Sequence, residues 1–97
     1  MIKIIAKNYV KPESKAAFVG LAMELVSESR KEEGCISYSL FQDLKNTNEY
    51  VFVEEWKDQK AIDDHNSTIH FTTIVPQLHN LCEKNGEVSL YSEVRGE

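Results

Sequence analysis

The stretch "CISYSLFQDLKNTNEYVFVEEW", Cys35–Trp56, decides the fold because it predicts a β-hairpin. Its first part places Ile36, Tyr38 and Leu40 on one face at period two, the alternation of a half-buried strand. The polar run "LKNTNE" follows as a turn. The segment "YVFVEEW" is rich in aromatic and β-branched residues, which is typical of a second strand.

A strand and a helix precede this hairpin. Ile2–Val10, "IKIIAKNYV", predicts a strand, and Pro12 then suits the first turn of a helix. Gly34 is placed to cap the C-terminus of that helix. Apolar residues recur at helical spacing and predict one buried stripe, formed by Phe18, Leu21, Ala22, Leu25 and Val26.

Two helical segments and a strand follow the hairpin. "KDQKAIDDH" predicts a short helix with Asp58 near its start, and "STIHFTTIVPQLHNLCEKN" predicts a second one. Pro76 should interrupt the second segment or begin a new turn, and Gly86 should end it before the last strand, "EVSLYSEV". The order βαββαβ predicts one α+β domain over residues 1–97, ferredoxin-like, with a four-stranded antiparallel sheet.

Helices can cover only one face of such a sheet. The other face would carry aromatic and β-branched side chains, which are too apolar to remain in water. We therefore expect a homodimer that packs sheet against sheet, which also enlarges the small core of a 97-residue chain.

Composition excludes several classes of partner. The net charge is −5 and the basic residues are scattered, which argues against nucleic acid or an anionic membrane as a partner. No apolar run approaches the roughly 20 residues of a membrane helix, and the start "MIKIIAKNY" lacks the features of a signal peptide. Cys35 and Cys82 are expected to be free thiols. These features predict a cytoplasmic protein.

No cofactor or metal motif is present. The sequence has no Gly-rich phosphate loop, dinucleotide fingerprint or G-x-S-x-G elbow. His65 and His70 are five residues apart, which does not place them on one helical face, and no third ligand is spaced to join them. His79 and Cys82 could share a helical face, but two such ligands on an exposed helix are more often coincidence. We predict no cofactor and no metal site.

Asn8 and Trp56 are polar groups at the ends of predicted strands. An amide on the otherwise apolar face of the first strand is costly without a partner, so Asn8 should bond a turn or point into a pocket. The indole of Trp56 should pack in the core or at the edge of the sheet, with its N–H on a carbonyl. Glu54 and Glu55 alternate across the strand, so at most one faces inward, and that one needs a partner.

The histidines that follow allow both structural and chemical interpretations. His65 comes after Asp63 and Asp64, whose charges would raise its pKa and leave it solvated. His70 is expected to cap or orient a neighbouring carbonyl, while Phe71 fills the core. Considered singly, each of these residues is more often structural than catalytic.

Taken together, the segments "EEGCISYSLFQD" and "YVFVEEWKDQKAIDDHNSTIHF" resemble the antibiotic biosynthesis monooxygenase domain. The spacing matches without a gap, and the order of elements matches over nearly the whole chain. The residues that carry the resemblance are Glu33, Gly34, Cys35, Tyr38, Glu54, Trp56, Ala61, His65, His70 and Phe71.

The resemblance implies a dimeric α+β barrel with one small pocket per subunit, between sheet and helices. Members of this family include oxygenases that convert phenolic or quinol substrates to quinones without flavin, haem or metal. Such a site has to deprotonate and hold its substrate and to exclude water. The implied catalytic residues are Asn8, His65 and Trp56, and the implied substrate-binding residues are Tyr38, His70 and Phe71.

Other activities of the family fit less well. Haem degraders carry a tryptophan where His65 stands and an iron-ligating histidine where Val75 stands, although His79 lies one turn further on. Enzymes of polyketide pathways carry a polar residue where this chain has Phe52 or Val53.

The predicted function is a cofactor-independent monooxygenase that oxidises a small phenolic or quinol substrate with O₂. One alternative is an isomerase of a phosphorylated dicarbonyl of the autoinducer-2 type, for which Lys45 and Lys57 are the candidate phosphate-binding cations. The other is a non-catalytic dimer that binds a small molecule.

Overall fold

The computed structural model describes residues 1–96, so Glu97 of the predicted 1–97 domain lies outside the described part. The elements follow the predicted βαββαβ order. The sheet is antiparallel, with the second, third, first and fourth strands of the chain side by side in that order, a ferredoxin-like α+β fold. A single 3-10 turn, Pro12–Ser14, precedes the first helix. The strands are β1 (Ile2–Val10), β2 (Cys35–Gln42), β3 (Glu49–Trp56) and β4 (Cys82–Ser92), and the helices are α1 (Lys15–Ser29), α2 (Gln59–Asn66) and α3 (Ile69–Asn80).

All three helices pack on one face of the sheet. The ring of Phe18 in α1 lies 5.3 Å from that of Tyr50, and the ring of His65 in α2 lies 4.4 Å from that of Trp56. Ile74 of α3 belongs to the same buried cluster. We call the opposite side the outer face. By strand alternation it carries Ile5, Phe41, Val51, Val53 and Tyr91.

The start of α2 and the free cysteines were predicted correctly, whereas Pro12, predicted in the first turn of α1, lies in the 3-10 turn that precedes it. Asp58 caps α2 by accepting a hydrogen bond from the backbone N–H of Ala61 at 2.9 Å. Cys35 and Cys82 are free thiols, and burial raises the pKa of both. Within residues 1–96 no helix is long and apolar enough to cross a membrane.

The face assigned to Ile36 was wrong. Cys35 pairs with Trp56, but Ser37 already pairs with Glu55, so β2 holds one extra residue at Ile36. This bulge reverses the alternation, and Ile36 is 56% exposed, whereas Tyr38 is buried as predicted.

The roles of Gly34, Pro76 and Gly86 also differ from the predictions. Helix α1 already ends at Ser29, so Gly34 does not cap it; a Cβ at Gly34 would overlap the Cβ of Ala61. Pro76 lies inside α3, which continues to Asn80. Gly86 does not end the helix but lies within β4, where a Cβ would overlap the carbonyl of Lys7. Both glycines therefore permit a close approach between segments distant in sequence.

Candidate active site between the sheet and the helices

A cleft of about 790 Å³ opens between the helix-covered face of the sheet and helices α2 and α3. Its walls are mainly apolar because the sheet and the helices both direct core side chains into it. Val88 and Leu90 of β4 border the cleft but are 66% and 49% exposed, since the helices leave this edge of the sheet uncovered. The polar side chains that reach the interior include Asn8, Glu54 and His65.

Glu54 is the buried acid of this cleft. It is only 5% exposed, and its Oε1 accepts a hydrogen bond from Trp56 Nε1–H at 2.9 Å. Burial raises the pKa of Glu54 to about 7, although the Trp56 N–H and the Tyr38 hydroxyl both stabilise the charged form. A carboxyl group with such a pKa can take up and release a proton near neutral pH. Alternation predicted that at most one of Glu54 and Glu55 faces inward, but not which one, nor that this residue belongs to the site.

His65 is fully buried beside the cleft. Its Nδ1 lies 2.7 Å from Glu32 Oε2, and its ring contacts those of Trp56, Tyr38 and Phe71. Burial lowers the pKa of His65 in spite of the Glu32 carboxylate, which favours the neutral ring. A carboxylate can only accept, and Nδ1 therefore carries the hydrogen. Nε2 is then an acceptor, and it has no partner among the described residues.

The partners predicted for His65 were wrong. Asp63 accepts from Gln59 and Asp64 pairs with Lys60, both on the exposed side of α2. Because His65 points inward, neither aspartate raises its pKa or keeps it solvated.

Glu32 was missed, and it joins the two histidines. Its Oε2 lies 2.7 Å from His65 Nδ1 and 2.7 Å from His70 Nε2, so His70 meets a carboxylate and not the predicted carbonyl. The expectation that no third ligand joins the histidines was therefore wrong as well. The resemblance had pointed to Glu33, which is exposed. The sequence contained only one indication of Glu32, which is that it is a second acidic residue directly before Glu33.

The cleft brings together four of the six predicted site residues. Asn8, Tyr38, His65 and Phe71 line it, and the amide of Asn8 donates to the carbonyl of Ala6 at 3.3 Å. Trp56 is fully buried and, like His70, is not among the described residues that line the cleft. The Trp56 N–H binds the Glu54 carboxylate and not the predicted carbonyl. Lys45 and Lys57, considered for phosphate binding, also lie outside the lining.

A family model described as "Antibiotic biosynthesis monooxygenase" matches residues 1–77. The chain belongs to this family. A Bacillus subtilis protein named "Putative monooxygenase YcnE" is 43% identical over 75 residues, which cover 77% of this chain and 79% of that protein. An uncharacterized protein of Synechocystis sp. is 36% identical over 89 residues, which are 91% of this chain. The matched part is only 60% of the length of that relative.

Solved structures agree with the family assignment. A conserved protein from Methanosarcina mazei Go1 superposes with a TM-score of 0.94 at 40% identity, covering 96% of this chain and 92% of that chain. A structure described as an antibiotic biosynthesis monooxygenase gives the same TM-score and identity over 98% of this chain and 100% of that chain. Family and relatives support a monooxygenase-like function.

Proposed function

We propose that this protein is a cofactor-independent monooxygenase that oxidises a small phenolic or quinol substrate with O₂. The observation that carries the proposal is Glu54, a carboxyl group with a pKa of about 7 in a largely apolar cleft. A phenol reacts with O₂ far more readily as the phenolate, so a base that works near neutral pH is the first requirement.

The groups around Glu54 suit this step. Glu54 accepts the phenolic proton, while the Trp56 N–H holds the carboxylate in place. The Asn8 amide is available to donate a hydrogen bond to the developing phenolate oxygen. The apolar walls hold the ring and exclude water. Trp56 acts here through Glu54, as a positioning residue.

The overall reaction needs no added reductant. The phenolate gives electrons to O₂, and one oxygen atom forms a bond to the ring carbon opposite the hydroxyl. The O–O bond then breaks, and the second oxygen atom leaves as water with the phenolic hydrogen and the hydrogen of that ring carbon. The products are one quinone and one water per phenol and O₂.

The test is oxygen uptake with 1-naphthol under ¹⁸O₂, comparing the wild type with Glu54→Gln. We expect one ¹⁸O atom in the naphthoquinone and a kcat/KM that rises through about pH 7, the pKa of Glu54. Glu54→Gln should lower kcat/KM by roughly 10² to 10⁴. The matched control is Glu33→Gln, an exposed acid outside the cleft. Unlabelled quinone, or full activity in Glu54→Gln, would contradict the proposal.

A further inference from the structure

We propose that Glu32, His65 and His70 form a binding site for a divalent transition-metal ion, with Zn²⁺ as the best-fitting ion. One potential ligand atom from each residue lies within 4.8 Å of the others. The carboxylate oxygen of Glu32 is 2.7 Å from the nearest ring nitrogen of each histidine. The ligands are therefore already assembled around one point.

The donor set selects the class of ion. Two imidazole nitrogens and one carboxylate oxygen are ligands for Zn²⁺ and similar ions, whereas Mg²⁺ and Ca²⁺ prefer oxygen alone. Bonds of about 2.1 Å in a tetrahedral site place ligand atoms roughly 3.4 Å apart, so the Glu32 oxygen and each histidine nitrogen, now 2.7 Å apart, have to separate by about 0.7 Å. As the ion binds, it displaces the hydrogens that now lie between these nitrogens and Glu32, and each metal-bound ring carries its single hydrogen on its other nitrogen.

Three separate elements hold the ligands. Glu32 lies in the turn before β2, His65 in the last turn of α2 and His70 in the first turn of α3. The side chains of Glu32 and His70 are 14% and 19% exposed, which leaves a fourth coordination position open to water. An ion at this point would tie together the three segments.

A polar groove of about 390 Å³ has Glu32 in its lining and gives the ion a path from solvent to this ligand. Carboxylates outnumber cations in its lining, with Glu32, Glu33, Asp58 and Asp64 set against Lys57 and Lys60. This excess of negative charge attracts a cation.

Ion binding at Nδ1 would also affect the opposite nitrogen of His65, Nε2, which is buried and has no hydrogen-bond partner among the described residues. With an ion on Nδ1, the neutral ring carries its hydrogen on Nε2, and this buried nitrogen changes from acceptor to donor. Because His65 borders the cleft, the ion would alter hydrogen bonding there. This consequence for the cleft rests on the proposed function; the binding of the ion does not.

The test uses the full chain without a histidine tag, stripped with EDTA and dialysed. Calorimetric titration with Zn²⁺ should show one ion per chain with a Kd in the micromolar range or below, and the Tm should rise. Glu32→Gln and His70→Gln should each weaken binding at least tenfold. Mg²⁺ should have no effect. The matched controls Glu24→Gln, at an exposed position of α1 outside the groove, and His79→Gln should bind Zn²⁺ as the wild type does.

Co²⁺ provides a readout that needs no variant, since a tetrahedral N₂O site gives visible absorption bands that Zn²⁺ then displaces. The ¹⁵N shifts of His65 and His70 should change on binding and those of His79 should not. Absence of Zn²⁺ binding by the wild type would overturn the proposal. So would unchanged affinity in a folded Glu32→Gln, or shifts confined to His79. None of these readouts depends on oxygenase activity, so failure of the metal site and failure of the proposed function are separable.

Discussion

Glu54 and Glu55 are neighbours with opposite environments, because successive residues of a strand point to opposite faces of the sheet. Glu55 accepts from the Ser37 hydroxyl at 2.8 Å on the outer face, while Glu54 is buried beside Trp56. The free energy cost of that burial appears in the raised pKa of Glu54. A buried acid of this kind weakens the fold at neutral pH, which is typical of residues retained for chemistry.

This cost predicts how Glu54→Gln changes stability with pH. The pKa of Glu54 rises from 4.5 to about 7 on folding, so the folded state holds the proton more tightly. Below pH 4.5 Glu54 is protonated in the folded and the unfolded state, so the wild type does not carry the cost of a buried charge. Its free energy of unfolding falls as the pH rises through 7, and the loss is roughly 3 kcal/mol at pH 8. Glu54→Gln, which cannot ionise, should gain about that much over the wild type at pH 8 compared with pH 4. Urea denaturation at both pH values measures the difference, and Glu55→Gln is the control.

The elements themselves were largely predictable, because their signals are local. The alternation of β3, the apolar stripe of α1 and the Asp58 cap of α2 each depend on residues a few positions apart. The errors at Gly34 and Gly86 arose where a glycine contacts a residue distant in sequence. The same distinction between local and distant contacts decided which residues of the site could be predicted. Family spacing indicated His65, whereas its contact with Glu32 spans 33 positions and has no local signal.

Substitutions at two glycines test whether a contact between distant segments explains why Gly34 is required. Gly34→Ala would place a methyl group on Ala61 and push α2 away from the turn before β2, so we expect a loss of about 1–3 kcal/mol. Gly20→Ala lies in the interior of α1, where the new Cβ would meet no atom within 4 Å apart from its chain neighbours and the surrounding helix backbone, so it should instead gain roughly 0.5–1 kcal/mol. Chemical denaturation of both variants gives the two values. If Gly34→Ala left the free energy of unfolding unchanged, the turn before β2 would not be tightly packed against α2.

For the whole molecule, the outer face is an apolar surface that no helix covers. Ile5, Val51 and Val53 are half-buried there, and Phe41 and Tyr91 are more than half exposed. Packing against a second copy would remove this apolar surface from water and add to a modest core. We therefore expect the protein to form a homodimer through its outer face.

The expected dimer can be tested at Val53, which lies in a central strand and pairs with Ile5 and Ser39. Val53→Lys would bury a charge between the two sheets, so sedimentation velocity should give a dimer for the wild type and a monomer for the variant. Ile69→Lys, at a position 83% exposed at the start of α3, should remain dimeric. A wild type that sediments as a monomer at every concentration would exclude this dimer.

Trp56 is the only tryptophan of the chain, and it contacts both Glu54, the proposed base, and His65, a proposed ligand of the ion. Its indole nitrogen donates to Glu54, and its ring lies against that of His65. Indole emission responds to a charge placed at the nitrogen and to a neighbouring ring that changes its electronic state. The protein thus contains an intrinsic fluorophore at the point where proton uptake by Glu54 and ion binding at His65 can both be followed optically, without any added label.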